Sequence, residues 1–495
     1  MKFRPNPTLY EINTRVWLRE ITKEIGKSIT LNQIPDKYWQ RFKDLGFDYL
    51  WLMGIWKPTR LGVSVSASLT YLHEDYYQAL PDWTQEDVIG SPYAIRDYDI
   101  NPNLGDWNEL DQVREKLHKL GIGVVLDFVP NHTALDHKWV KDHPQYYIQT
   151  TAEIAAQMKD DYFPVNLGDE EFYIAHGRDP YFPPWTDTAQ LNYFNPETRE
   201  ALLFTLSEIA SHCDGLRCDM AMLALNDIFA STWKAQLEQG GWTYPDCEFW
   251  DTVISDVKKD FPDFVFIAEV YWEREQQLQG LGFDFTYDKK LYDMLKTDHA
   301  SEISMYLQTE RMSSKWTRFV ENHDEPRVVA EFGYIKSPAA ATLTATLPGM
   351  RLLHQGQLEG RSHKIPVQLA RAYEEPVHKG LLAYYEKILG LLNQDVLHSG
   401  NWQKLTAQSV GKLNHLDIIA YQWEKDGQRV IFVINYSSHD SQANIRLPDI
   451  NNQQEKTKFL EKLSEKEFVY KTQDIITHGL YIDLKPWQAQ IFEIS

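Results

Sequence analysis

Several apolar runs in this sequence end in ionisable residues. GVVLDFVPNH ends at Asn131-His132, DGLRCDM at Asp219, VFIAEV at Glu269, and RFVENHDEPR carries His323-Asp324. A carboxylate at the end of an apolar run is costly unless it is paired or solvated in a cleft, so these ends are expected to meet on one rim. Two aspartates, a glutamate and two histidines around one mouth suit either of two chemistries. One is cleavage of a glycosidic bond by a carboxylate pair. The other is a metal held by carboxylates and imidazoles, with Asp127, His132, His323 and Asp324 as ligands. Parity sharpens the set. Gly215, Arg217 and Asp219 are two apart and share one strand face, as do Asp127, Val129 and Asn131. Arg217 is therefore expected to keep Asp219 ionised. Glu269 follows FIA with no evident local cation, which suits a general acid.

The elements that must position these groups read as strands at 9–17, 47–56, 122–129, 215–219, 265–270, 283–287, 318–322 and 350–354. Amphipathic segments such as 107–120, 196–212 and 250–260 lie between them. Strand alternating with helix predicts parallel βαβ units and a closed (β/α)8 TIM barrel; no G-x-G-x-x-G turn supports a doubly wound sheet instead. In such a barrel the chemistry sits at the C-terminal strand ends. The stretch 133–187 is rich in aromatics, Pro and Asp without a clean period, and is expected to be an inserted subdomain after the third strand. Beyond about residue 396, alternating runs at 416–423, 429–435, 443–447 and 488–493 predict a C-terminal antiparallel β-sandwich domain. The expected organisation is a barrel from 1–132 and 188–395, an insert at 133–187 and an all-β domain at 396–495. The charged stretch 455–467 reads as a solvated face.

Composition narrows the partners. The formal net charge of −21 opposes the basic footprint of nucleic-acid binders and disfavours an anionic membrane surface. A neutral or cationic substrate is expected. Aromatic residues at 13% provide a large core or flat platforms for sugar rings. Cys213, Cys218 and Cys247 form neither a disulfide framework nor a metal-site spacing. The opening MKFRPNPTLYEIN has no secretory apolar region, and no apolar run is long enough to span a bilayer. A cytoplasmic location is expected.

Four segments in register resemble the conserved regions of glycoside hydrolase family 13, the α-amylase family: DFVPNH (127–132), GLRCDMAML (215–223), FIAEV (266–270) and FVENHD (319–324). SPYAIRDYDINPNLG (91–105) and LPGMRLLHQGQLEG (347–360) are similar to further parts of that family, and the resemblance runs from about residue 9 to the C-terminus. It implies Asp219 as nucleophile, Glu269 as general acid and then base, and Asp324 as the group that binds ring hydroxyls and supports the oxocarbenium-like transition state. It implies substrate contacts from Tyr93, His132, Arg217 and His323, and retention of anomeric configuration. The two reacting carboxyls should then lie about 5–5.5 Å apart.

The sequence departs from the family pattern in places. Met222 and Leu223 stand where endo-acting members carry Lys-His, and Gln190 stands where an Asp commonly helps to hold calcium. Asn131 keeps one potential ligand, so the expectation is no cofactor, with a structural calcium doubtful. The run His323-Asp324-Glu325-Pro326-Arg327 resembles exo-acting oligosaccharide glucosidases and implies Arg327 facing the leaving-group sugar. Glu359 is a solvated loop charge on this reading. The expected function is a retaining α-glycosidase acting on α-glucosidic bonds of maltodextrin-like oligosaccharides. The alternative is an α-glucan transglycosylase or phosphorylase that uses the same intermediate. A non-catalytic glucan-binding protein on the same fold is the remaining rival.

Overall fold

The computed structural model describes residues 4–297, 299–308, 314–411 and 413–494. The barrel strands are β1 (Thr8–Asn13), β2 (Tyr49–Met53), β3 (Gly123–Phe128), β4 (Gly215–Cys218), β5 (Val265–Ala268), β6 (Phe285–Tyr287), β7 (Trp316–Arg318) and β8 (Met350–His354). Each pairs in parallel with the next, and β8 closes on β1. A parallel sheet covered on both faces demands continuous apolar runs, and β2, β3, β5 and β8 are buried at every position. Gly215 opens β4 because a Cβ there would stand 2.7 Å from the Val265 carbonyl oxygen.

The differences from the sequence expectation that bear on the site are at β1 and β7. β1 stops at Asn13, whose side chain accepts a hydrogen bond from the Val16 amide and starts the helix Thr14–Ile25. β7 lies earlier than expected, at Trp316–Arg318, so residues 319–324 run off its C-terminal end. A helical hairpin, Arg60–Ser68 and Thr70–Ala79, follows β2. Tyr76, Leu80, Val88 and Leu369 give it a small core of its own.

After β3, His132–Ala134 pairs antiparallel with Thr188–Gln190. Between them lies a three-stranded sheet of Gln149–Thr150, Glu170–Ala175 and Tyr162–Leu167. The C-terminal β-sandwich stacks a six-stranded sheet on a three-stranded one. Its strand Ile418–Lys425 serves two cores by alternation. Ile418 and Ala420 face the sandwich interior, while Ile419, Tyr421 and Trp423 join the barrel core. Trp423 Nε1 donates to the Thr346 carbonyl at 2.7 Å, which ties this sheet to the barrel. The stretch 455–467 is solvated on its outer face, where Glu455, Lys456, Lys458, Glu465, Lys466 and Glu467 are exposed. Lys456–Glu461 and Lys466–Lys471 form an edge hairpin, and Thr457, Phe459 and Glu461 are buried on its inner side. Among the described residues no helix is long and apolar enough to cross a membrane.

Candidate active site

The C-terminal ends of β3, β4 and β5 and the segment after β7 converge on one buried arginine. Arg217, on β4, is fully withdrawn from solvent. Its Nη1 donates to Asp219 Oδ1 at 2.7 Å and to Asp127 Oδ1 at 3.4 Å. Its Nη2 stands 2.7 Å from Glu269 Oε2, an ion pair out of line for a hydrogen bond, and 4.0 Å from Asp324 Oδ2. The rings of Trp51 and Tyr93 flank the guanidinium at 5.2 and 5.3 Å. Burial alone would lower the Arg217 pKa, but the surrounding acidic groups hold it well above its ordinary value.

The carboxylates feel the same burial with the opposite sign. Burial pushes Asp219 up to about 8; Arg217 pulls it back, and Glu269 and Asp324 push it further up. Arg217 draws Asp219 down as expected, but one cation is shared among several acids in a dry site. Asp127, which also accepts a hydrogen bond from Trp51 Nε1, is pushed up to about 6, again by burial first.

Glu269 is held from three directions. Besides Arg217, Tyr271 donates its hydroxyl to Oε1 at 2.8 Å, and the Met220 amide donates to Oε2 at 2.7 Å. Met220 reaches that carboxylate because its backbone is left-handed, φ 43° and ψ 45°. Non-glycine residues enter that region only when their surroundings over-determine it.

On the other side of Arg217, His323 bridges two acids. Its Nδ1 lies 2.5 Å from Glu11 Oε1, and its Nε2 lies 3.0 Å from Asp324 Oδ2 and 2.7 Å from the Tyr93 hydroxyl. Burial alone would lower its pKa, yet Asp324 and Glu11 raise it to about 10. His323 is therefore an imidazolium at neutral pH. Asp324 moves the other way: withdrawal into the cavity alone would raise it, but His323 holds it well below the ordinary carboxylate range. His132 lacks an acidic partner of this kind, and burial takes it down to about 4, so it is neutral.

A cavity of about 780 Å³ opens above this cluster, lined by Tyr93, His132, Asp219, Glu269 and Asp324 together with Asp179, Asp187, Trp185 and Tyr271. The cavity continues on both sides. Past Asp324 lies a space of about 440 Å³ lined by Leu72, Arg327, Lys364 and Gln368. Past Met220 and Tyr271 lies one of about 640 Å³ lined by Trp272, Lys289 and Met294.

The sequence-derived set therefore meets in space, with Arg327 in the adjoining part of the cavity. Arg327 borders the space beyond Asp324, not the side of Tyr271 and Met220. Its Nη1 is committed to Glu321 at 2.6 Å, to His354 at 2.9 Å and to the Gln355 carbonyl at 2.7 Å. Glu359 pairs with Arg41 away from the cavity. Sequence reasoning missed Glu11 and Tyr271. The signal for Glu11 was a carboxylate inside the otherwise apolar run of β1. For Tyr271 it was an aromatic residue two positions past Glu269, hence on the same side of an extended chain.

Comparison with known proteins is decisive on family. Residues 31–425 match the family described as alpha amylase, catalytic domain. The chain belongs to the α-amylase family. Alpha-amylase 3 of Dictyoglomus thermophilum is 24% identical over 387 residues, which take in 74% of this chain and 66% of that protein. Alpha-glucosidase of Culex pipiens is 24% identical over 357 residues, 62% of this chain and 58% of that protein. The chain thus spans less than two thirds of the length of these relatives. Among solved structures, a noncanonic maltogenic alpha-amylase from Thermotoga neapolitana superposes with a TM-score of 0.67 at 18% identity, covering 99% of this chain and 98% of that one. The trehalose-6-phosphate hydrolase of Bacillus licheniformis gives 0.66 at 15% identity and covers 100% of both. These two likenesses bear on the fold.

Asn131 and Gln190, the positions that the sequence resemblance links to calcium, are bonded to each other. Gln190 Nε2 donates to Asn131 Oδ1 at 3.0 Å and to the Asn131 carbonyl at 2.9 Å, and Asn131 Nδ2 donates back to Gln190 Oε1 at 3.2 Å. Both Asn131 oxygens accept from the one Gln190 amide, and Met222 and Leu223 are buried and apolar. Among the described residues no group of three or more His, Cys, Asp or Glu could hold a metal ion. A hard cation wants six to eight oxygens with carboxylates among them, and this donor set does not fit. Activity and melting temperature are expected to be unchanged by prolonged EDTA treatment; a loss restored by calcium would contradict this reading.

Proposed function

We propose that this protein is a retaining glycosidase that cleaves α-glucosidic bonds of maltodextrin-like oligosaccharides by double displacement. The observation that carries the proposal is the Arg217 guanidinium held 2.7 Å from both Asp219 and Glu269 at the floor of the cavity. Two carboxyls on one guanidinium supports the separation of about 5–5.5 Å that a retaining pair requires. Double displacement calls for the proton on Glu269 and for Asp219 as carboxylate.

In the first step Glu269 gives its proton to the glycosidic oxygen while Asp219 attacks the anomeric carbon. The C–O bond breaks, the leaving sugar departs with the proton, and a glycosyl ester remains on Asp219. In the second step the Glu269 carboxylate takes a proton from water as the water oxygen attacks the same carbon. The ester bond breaks and Asp219 is freed, with configuration retained. Asp324 and the His323 imidazolium hold ring hydroxyls, His132 adds a neutral contact, and Tyr93 stacks on the ring. Tyr271 and the Met220 amide fix Glu269 for both proton transfers, which preorganises the acid at no cost during reaction.

Hydrolysis is favoured over phosphorolysis by charge. Asp179, Asp187, Asp219, Glu269 and Asp324 line the cavity, so an incoming phosphate dianion meets like charge. The division into a barrel at 1–132 and 188–395, an insert at 133–187 and a C-terminal domain at 396–495 belongs to this reading. So does a reducing compartment, supported by the free Cys213, Cys218 and exposed Cys247.

Product analysis tests the whole proposal. Maltooligosaccharides, sucrose and trehalose are incubated with the protein, with and without phosphate, and products are followed by chromatography and early-time NMR. Shorter α-configured sugars are expected. β-configured first products would overturn retention, and longer oligosaccharides or a sugar phosphate would replace water by another acceptor.

A further inference from the structure

Four of the five carboxylates that line the central cavity have partners. Asp219 has Arg217, Glu269 has Arg217, Tyr271 and the Met220 amide, and Asp324 has His323. Asp179 accepts the amides of Tyr181 and Phe182 at 2.7 and 3.1 Å. Asp187 differs. Among the described residues, the donor available to its carboxylate is its own backbone amide, and burial raises its pKa. It lines the cavity beside Leu69, Tyr71 and Leu72 of the helical hairpin, and its charge bears on Tyr71 and Tyr76.

A half-buried carboxylate without a side-chain donor leaves its hydrogen-bonding capacity open to a ligand's hydroxyls. The hairpin's share of the lining is aromatic and aliphatic, with Tyr71 largely exposed. A hexosyl ring matches that pairing: two neighbouring hydroxyls to donate to one carboxylate, and a CH face to lie on a flat apolar surface. We propose that Asp187 and the hairpin residues Leu69, Tyr71 and Leu72 form a sugar-binding subsite for a neutral glycosyl unit beyond the ring being cleaved. This rests on the glycosidase reading and deepens it. The enzyme then prefers oligosaccharides to single-ring glucosides, and chains phosphorylated on that unit are rejected by like charge.

The test compares wild type with Asp187→Asn on p-nitrophenyl α-glucoside and on maltotetraose, with melting temperatures for both proteins. Loss of hydrogen bonds to a charged group is expected to lower kcat/KM for maltotetraose about 10- to 100-fold, mostly through KM. The single-ring substrate should change by less than about 2-fold, since an interaction remote from the reacting ring contributes uniform binding. The melting temperature should hold or rise, because an unpartnered carboxylate is removed. Equal losses on both substrates, or no loss on maltotetraose, would overturn the subsite. Failure of wild type to cleave either substrate would instead sink the glycosidase reading. In that event the melting temperature still decides about Asp187: a fall marks a structural role and overturns the inference, while a rise supports an unmet carboxylate awaiting a ligand.

Discussion

Asp219→Asn is expected to lower turnover of α-glucosides by a factor on the order of 10⁴ or more while leaving the fold intact. The amide is isosteric but cannot form the glycosyl ester. Asparagine also keeps an oxygen for Arg217 Nη1, which now lies 2.7 Å from Asp219 Oδ1, and Arg217 retains Glu269 and Asp127 as ionic neighbours. The effect on stability has a definite sign. The folded state raises Asp219 to about 8 from an ordinary 3.8, so this carboxyl favours folding below the ordinary value, and that contribution is lost as the pH rises through 8. At pH 7 and above, the neutral amide should therefore match or exceed wild type in melting temperature. Steady-state turnover and a thermal melt on the same preparation check both halves. Turnover within tenfold of wild type would remove Asp219 as nucleophile.

Arg217→Met is expected to abolish activity and to destabilise the protein by about 3–5 kcal/mol near neutral pH, the usual cost of stripping one partner from a buried ionic cluster. Methionine fills much of the volume, so the loss is electrostatic. Without the guanidinium, Asp219, Asp127 and Glu269 sit together in a dry site with no cation of their own. Asp219 and Asp127 are already raised, to about 8 and about 6, with Arg217 holding both down. Removing that restraint drives both higher, so the nucleophile stays protonated across the working range. The deficit should be smallest below pH 6, where both acids are protonated in the two folded proteins and the unfolded chains titrate alike, and widen as the pH rises through 6 and 8. Denaturant unfolding at pH 4.5 and pH 8 reads this directly. A deficit independent of pH would mean that Arg217 acts by packing rather than by charge.

Much of this site was legible in the sequence because a barrel turns linear order into spatial convergence. Once Asp219, Glu269 and His323-Asp324 are assigned to strand ends, closure of the sheet brings them together, and the period of two places Arg217 on the same face as Asp219. Other features depend on distances no local pattern carries. Glu11 lies 312 residues from the His323 it contacts. Arg327 sits next to the site in sequence, yet the chain turns it onto Glu321, fully buried and six residues away. β7 was misplaced because the aromatic and β-branched residues at 316–322 favour extended backbone throughout, and pairing with β6 and β8, not propensity, selects Trp316–Arg318. The helical hairpin after β2 escaped notice because its helices are short and its apolar residues pack on a satellite core, so no amphipathic period builds up.

The Asn131–Gln190 contact joins the end of β3 to the strand Thr188–Gln190, the strand that begins directly after Asp187. It is built from two neutral amides. Neither takes up a proton or an ion over the pH range in which the protein is folded, so this joint contributes no slope to stability against pH and no dependence on dissolved cation. An ion at the same place would make the width of the cleft a property of the medium as well as of the chain. Here the strand that carries His132 and the strand that follows Asp187 are joined by a link between neutral amides, so at this joint the spacing of the cleft walls rests on hydrogen bonds and packing.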